Sequence, residues 1–168
     1  MSSETFTTAI FLITAIVAAA ILVNAFFPVI YSATSTFTES SQSTDERLRT
    51  DVKIVNAYAE SDGDAKIWIK NIGSLRIADS DISSSDVYFG IPGGFDYMVY
   101  TTGTTPSSGQ WTFSIREDAG TPNEYWDSGE TVEITLTGNS SALSTGEYTY
   151  FQFVLPNGVS VSTQYTVS

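Results

Sequence analysis

Hydrophobic positions along this chain follow two rules, and the change-over falls near residue 45. No charged residue occurs between Glu4 and Glu39, and Ala9–Ile30 (AIFLITAIVAAAILVNAFFPVI) is almost wholly apolar. The apolar character runs all round the segment instead of along one stripe, unlike a soluble core helix. About 20 apolar residues in a helix cross the hydrocarbon core of a bilayer. From Arg49 onward the pattern breaks into short runs bounded by turn residues, the mark of strands. The chain is therefore expected to divide into 1–45, a transmembrane or assembly helix with a Ser/Thr-rich stalk, and 46–168, an extracytoplasmic β-sandwich domain.

The strand readings follow alternation and turn residues. DVKIVNAYA opens the domain, and the turn SDGD leads into KIWIKNIG, where Ile67 and Ile69 face one way and Trp68 the other. Leu75 and Ile77 form a short segment, and DVYFG closes on IPGG. Phe95–Tyr100 and Trp111–Arg116 are expected as a hairpin around loop 101–109. Val132, Ile134 and Leu136 alternate with Glu133 and Thr135, and the long strand EYTYFQFVL reaches Pro156-Asn157-Gly158, a hairpin signal. Val159–Val167 is expected as a last strand paired inside the sheet. Eight or nine short strands at this spacing predict a sandwich or barrel. No helical periodicity is read after residue 50.

Within the helix, Ala15-x-x-x-Ala19 has the small-xxx-small spacing that lets backbones approach closely, and Ala18 and Ala20 add to it. Asn24 is a polar amide in the span and favours an interhelical hydrogen bond. Glu4 lies where its charge suits the helix dipole. A lone anchor with ordinary alanines is the plainer reading. Pro28 removes a backbone donor and is expected to kink the helix or end its first part. Beyond it, the composition of Tyr31–Thr44 (YSATSTFTESSQST) favours a flexible stalk over continued helix, without deciding.

A cleaved signal peptide expects a basic leading region, a short apolar core and a small-residue cleavage site. Met1–Thr8 carries no Lys or Arg, and the apolar run is longer than such a core. The first cations, Arg47, Arg49 and Lys53, follow the span. Taken literally, the positive-inside rule would put the β domain in the cytoplasm, but these charges lie far from the span and among Asp45, Glu46 and Asp51.

Composition narrows the chemistry. Seven Lys and Arg against nineteen Asp and Glu give a net charge of -12. The cations are scattered in sequence with no basic stripe, which argues against nucleic acid. The chain has no Cys and no His. That excludes disulfides and thiol chemistry, and removes the commonest metal ligand and general base. No G-x-S-x-G or S-x-x-K occurs. Asp62 with Asp64 and Asp79 with Asp81 are paired carboxylates, read first as solvated turn formers and otherwise as calcium ligands. No cofactor is expected beyond that. Asn139-Ser140-Ser141 is a glycosylation sequon in a polar loop. Trp68, Trp111 and Trp126 are expected in the core, with a ligand or partner face as the alternative for Trp126.

Six stretches carry a family resemblance: SETFTTAIFLITAIVAAAILVNAFFPVIY, DERLRTDVKIV, IWIKNIGSLRI, DVYFG, WDSGETVEITL and GEYTYFQFVLPNGV. Over nearly its whole length the chain resembles the archaellum accessory protein G (FlaG) family, relatives of archaellins and archaeal type IV pilins. The KNIGS and SGETVEI pieces also recur in Ig-like domains of archaeal surface proteins. The resemblance implies an Ig-like β domain outside the cytoplasmic membrane and a static, non-enzymatic role in the rotary motor. It implies self-assembly and partnership with a sister protein, F, and the S-layer. Archaellins and pilins carry a leader with a basic residue or Gly before its cleavage point, and Met1–Thr8 has neither. The accessory protein is thus the first expectation, and an archaellin or pilin forming the extracellular filament the second. A membrane-tethered hydrolase or carbohydrate-binding module is the third.

Overall fold

A computed structural model describes residues 2–116, 123–138 and 143–168. Its contacts divide the chain into two compact units, residues 1–44 and 45–168.

Helix α1 runs Ser2–Arg49. Its first part needs no special account, since Leu, Ile, Val and Ala pack a helix readily and nothing charged interrupts them. Pro28 lies inside the helix and does not end it. The segment Tyr31–Thr44 is helix, not stalk. Its hydroxyls explain how so polar a run stays helical. Thr34, Thr36, Thr38 and Thr44 donate Oγ1 to the carbonyls of Ile30, Ser32, Thr34 and Ser40 at 2.8–3.0 Å. Bonded to the preceding turn, these groups no longer compete for the backbone in other conformations.

In the second unit, among the described residues, ten strands and one short helix follow: β1 (Val52–Ala59), β2 (Asp64–Asn71), β3 (Ile77–Ala78), α2 (Asp79–Ser83), β4 (Asp86–Ile91), β5 (Gly94–Tyr100), β6 (Gln110–Arg116), β7 (Tyr125–Trp126), β8 (Thr131–Thr137), β9 (Tyr148–Val154) and β10 (Ser160–Thr166). Eight form one sheet in the order β1-β2-β8-β6-β5-β4-β9-β10, and β3 pairs with β7. The sheet folds on itself as a sandwich. β1-β2-β8-β6 makes one half and β5-β4-β9-β10 the other. Its outer strands come back together, where Ser168 N–H donates to the Ala59 carbonyl at 2.9 Å.

Alternation sets the register of the first half. Ile67 lies opposite Ile134, which lies opposite Phe113; Ala65, Leu136 and Trp111 make a parallel row, as do Ile69, Val132 and Ile115. Any one-residue slip would turn these side chains to solvent. From the other half come Val87, Phe89, Met98, Phe151 and Phe153, all buried. Trp111 meets Phe153 edge to face across the core, with ring centroids 6.3 Å apart.

Three details depart from the sequence expectation. β5 and β6 are not a hairpin: they touch only through a short parallel pairing, Val99 with Gln110 and Tyr100 with Trp111. β6 instead runs its full length against β8, because that partner matches its buried Trp111 and the half-buried Phe113 and Ile115 beside it. β10 pairs with β9 alone and so ends the ladder, its outer face being the polar Ser160, Ser162 and Gln164. Finally, Asp79–Ser83 is a single helical turn anchored by buried Ile82, too short to show a period.

Candidate assembly interface

The long helix α1 is the first candidate for the working part of the chain. None of its apolar window is buried in the structure, and that window has a mean hydropathy of 2.6. Phe6, Phe11, Ile13, Ile16 and Ile21 are each more than 60% exposed. Such a surface is stable only against lipid or another apolar surface.

The small and polar residues fall on two faces. At 100° per residue, Glu4, Ala15 and Ala19 lie within about 60° of one another, while Asn24 is about 180° from Ala15 and Pro28 stands beside Asn24. The alanine notch and the amide cannot therefore serve the same neighbour. A helix with contact features on opposite sides suits a bundle in which each copy touches several others. Glu4 sits in the first turn, where the backbone N–H groups favour its charge. Open grooves line the same helix, one by Glu4, Thr8 and Leu12 and one by Pro28, Ser32 and Thr36, the relief into which a neighbouring helix sets its ridges.

Within the second unit, Arg49–Asp51 at the end of α1 is held by two loop segments, KNIGS and WDSGE. In KNIGS, buried Asn71 donates to the carbonyls of Leu75 and Trp126 at 2.9 and 3.1 Å and accepts from Gly73 N–H at 3.0 Å. This holds a tight bend whose N–H groups reach the helix exit. Ser74 and Leu75 donate to the Arg49 carbonyl, and Ile72 and Gly73 to that of Asp51. They satisfy acceptors that a helix C-terminus leaves free. A Cβ on Gly73 would stand 2.4 Å from the Arg49 oxygen, so only glycine admits the approach. In WDSGE, Ser128 Oγ donates to the Gly73 carbonyl at 2.6 Å and the Arg76 guanidinium grips Asp127 at 2.9 and 3.0 Å. Those hydrogen bonds hold the Asp127 carboxyl below its usual range. The Pro-Asn-Gly turn joins from the far side, Asn157 Nδ2 donating to Thr50 Oγ1 at 2.8 Å.

The other candidate residues are placed plainly. Trp126 is buried and donates Nε1 to the Glu130 carbonyl at 2.9 Å, which removes it as a ligand face. Trp111 is also core, while Trp68 is half-buried on the outer side and donates to Glu133 at 3.2 Å. Asp62 Oδ1 accepts from Asp64 N–H at 3.1 Å, and Asp64 accepts from Thr137 Oγ1 at 2.7 Å, so this pair serves a turn. Asp79 and Asp81 stand in the first turn of α2. Among the described residues no three acidic side chains gather as a metal would require. Asn139 lies outside the described residues.

Two surfaces were not anticipated. The outer side of β5-β4-β9 carries Tyr88, Phe95, Tyr97 and Tyr150, their rings in a chain of contacts, and the exposed Tyr148. The outer side of β1-β2-β8-β6 gathers Lys53, Lys66, Lys70 and Arg116, cations that are scattered in sequence. The first had a legible signal, since these strands are aromatic on both phases of their alternation. The second had none.

Comparison with known proteins follows this architecture. The family model for archaeal-type flagellin matches residues 2–165. The archaellum periplasmic stator protein FlaG of Sulfolobus acidocaldarius is 28% identical, with a TM-score of 0.55 over 69% of this chain and 99% of that one. The stator complex of FlaF and FlaG from the same organism matches at 27% identity and a TM-score of 0.54, over 68% and 87% of the two chains. The archaeal flagellum of Methanospirillum hungatei strain JF1 matches at 15% identity and a TM-score of 0.69, over 97% and 93%, which shows the shared fold of long helix and β domain. The family is a structural one, not a class of enzymes. With a long apolar helix, a β-sandwich and a match from residue 2 to residue 165, the chain belongs to the archaeal-type flagellin family and is an archaellum-related structural protein.

Proposed function

We propose that the protein is a stator-type subunit of the archaellum. Copies pack through α1, and the β unit links the motor to the cell envelope, engaging a FlaF-like partner and the S-layer outside the cytoplasmic membrane. The observation that carries assembly is the helix itself, apolar on every side and buried nowhere in its own chain. The choice of stator over filament is supported by 28% identity to FlaG over almost all of that chain, against 15% to the filament protein. The fold match over 97% of this chain favours a second reading, an archaellin or pilin of the extracellular filament.

Replacing Ala15 and Ala19 with Phe in the full chain tests the assembly. We expect smaller particles by sedimentation and no ordered assemblies by electron microscopy, with the near-ultraviolet signal of the buried tryptophans unchanged. Equal particle size in both forms would end the alanine-notch reading. Quantitative mass spectrometry of isolated filaments and membranes separates the two roles. A stator subunit stays with the membrane fraction, whereas a filament subunit dominates the filaments.

A further inference from the structure

We propose that the β units of neighbouring copies join head to tail, the basic face of β1-β2-β8-β6 in one copy resting on the aromatic face of β5-β4-β9 in the next. This rests on the reading that copies of this chain assemble.

Register builds the basic face. Lys53 lies opposite Lys70, Lys70 opposite Thr131 and Thr131 opposite Arg116, so three cations share one row across four strands. Four residues along, Lys66 lies beside Thr135. Glu133, between them, accepts from Arg116 at 2.7 and 3.0 Å and pairs with Lys66 at 3.5 Å. Lys53 and Lys70 have no ion pair among the described residues. Like charges directly opposite on adjacent strands destabilise a sheet. In a chain of net charge -12, an unneutralised lysine pair is a conspicuous cost without a partner of opposite character.

The other half of the sandwich supplies that character. From Ile77 to Ser168 the only cation is Arg116, so β5-β4-β9-β10 has none. On its outer side Tyr97 lies opposite Tyr88, and Phe95 opposite Gly90, which lies opposite Tyr150. Phe95 is 46% exposed, Tyr97 54% and Tyr148 65%. Asp86 borders them, and burial together with that nearby carboxylate raises the Tyr97 pKa. Lys and Arg heads favour such ring faces and a bordering carboxylate, and their methylene stems cover apolar area. The chain makes the same pairing internally, with Arg76 stacked 4.3 Å from the Tyr125 centroid.

The two faces belong to different halves of the sandwich, so the contact is heterologous and propagates into a ring or filament instead of closing as a two-fold dimer. Three strands by two residue rows make a platform of roughly 10 by 14 Å, well under the ~800 Å² per partner of a stable interface. The contact therefore works only where α1 already concentrates the copies.

Full-length chains, half of them labelled with heavy nitrogen, are co-assembled and joined with a carbodiimide that couples carboxylates to amines. Mixed light–heavy peptides joining Asp86 to Lys53 or Lys70 are expected. They should disappear in Lys53→Glu/Lys70→Glu and return when that variant is co-assembled with Asp86→Lys copies. If copies assemble and no such peptide forms, the face pairing is wrong and the helix reading survives. If the aromatic face is reserved for a different protein, the charge exchange will leave the linked peptides unchanged or absent throughout, which also overturns the pairing. Chains that stay monomeric at every concentration overturn both.

Discussion

Single residues in this protein are arranged around joints more than around a reaction. Asn71 satisfies three backbone groups at the bend behind the helix exit, and no other side chain of that size offers two donors and an acceptor. Glu133 works differently. Burial raises its pKa, but hydrogen bonds and charge from Arg116, then Lys66 and Trp68, outweigh this and hold it below the usual range. Tyr165 faces the core with a hydroxyl that has no partner among the described residues. Burial pushes its pKa up, so the unfolded chain loses this proton first as pH rises. Its contribution is fully present below about pH 10 and is lost as pH climbs beyond that. Tyr165→Phe should leave stability at pH 7 equal or higher, since it removes an unsatisfied buried hydroxyl, and should flatten the loss above pH 10. Urea titrations of the full chain in detergent, followed at the tryptophans between pH 7 and 11, check this.

Elements carry the next set of consequences. α1 keeps its helical form through Tyr31–Thr44, about 20 Å of polar helix at 1.5 Å per residue, by bonding its hydroxyls inward. It can thus pass from an apolar to a wet surrounding without changing conformation. In the sheet, β1 and β2 hold Lys53 against Lys70 at a cost to their own pairing. Lys70→Glu converts this to an opposite-charge pair and should stabilise the β unit by about 0.2–1 kcal/mol. The same change should weaken contact between heads. A higher urea midpoint combined with fewer linked peptides is the expected pair of results; a lower midpoint would show that Lys70 is held by something within the fold.

At the scale of the whole molecule, the two units draw stability from separate sources. The β unit has its own core of Ile67, Trp111, Ile134, Phe153 and their neighbours. Residues 1–44 bury nothing of their apolar window and depend on lipid or other copies. Substitutions in distant, unconnected parts act additively. Ala15→Phe/Ala19→Phe should therefore change particle size while moving the thermal midpoint of the tryptophan signal by less than about 2 °C. A large shift would mean that head folding depends on helix assembly.

How much of this was legible before any coordinates depends on the range of the interactions involved. The apolar helix, the alternating strands, the turn at Pro156-Asn157-Gly158 and the absence of Cys and His all rest on local composition and spacing, which a linear chain displays openly. The helical state of Tyr31–Thr44 was only half legible, because Ser and Thr serve stalks and, by bonding to the preceding turn, helices. Strand partners were hidden. Trp111–Arg116 turned from β5 toward β8 because that pairing buries Trp111 and packs Phe113 and Ile115 against the core, a preference set by residues about twenty positions away in sequence. The meeting of KNIGS with WDSGE and the alignment of Lys53, Lys70 and Arg116 in one row were hidden for the same reason. Which face a charge occupies follows from register, and register is decided by the buried faces of strands far apart in the chain, so only the tertiary structure could place these groups side by side.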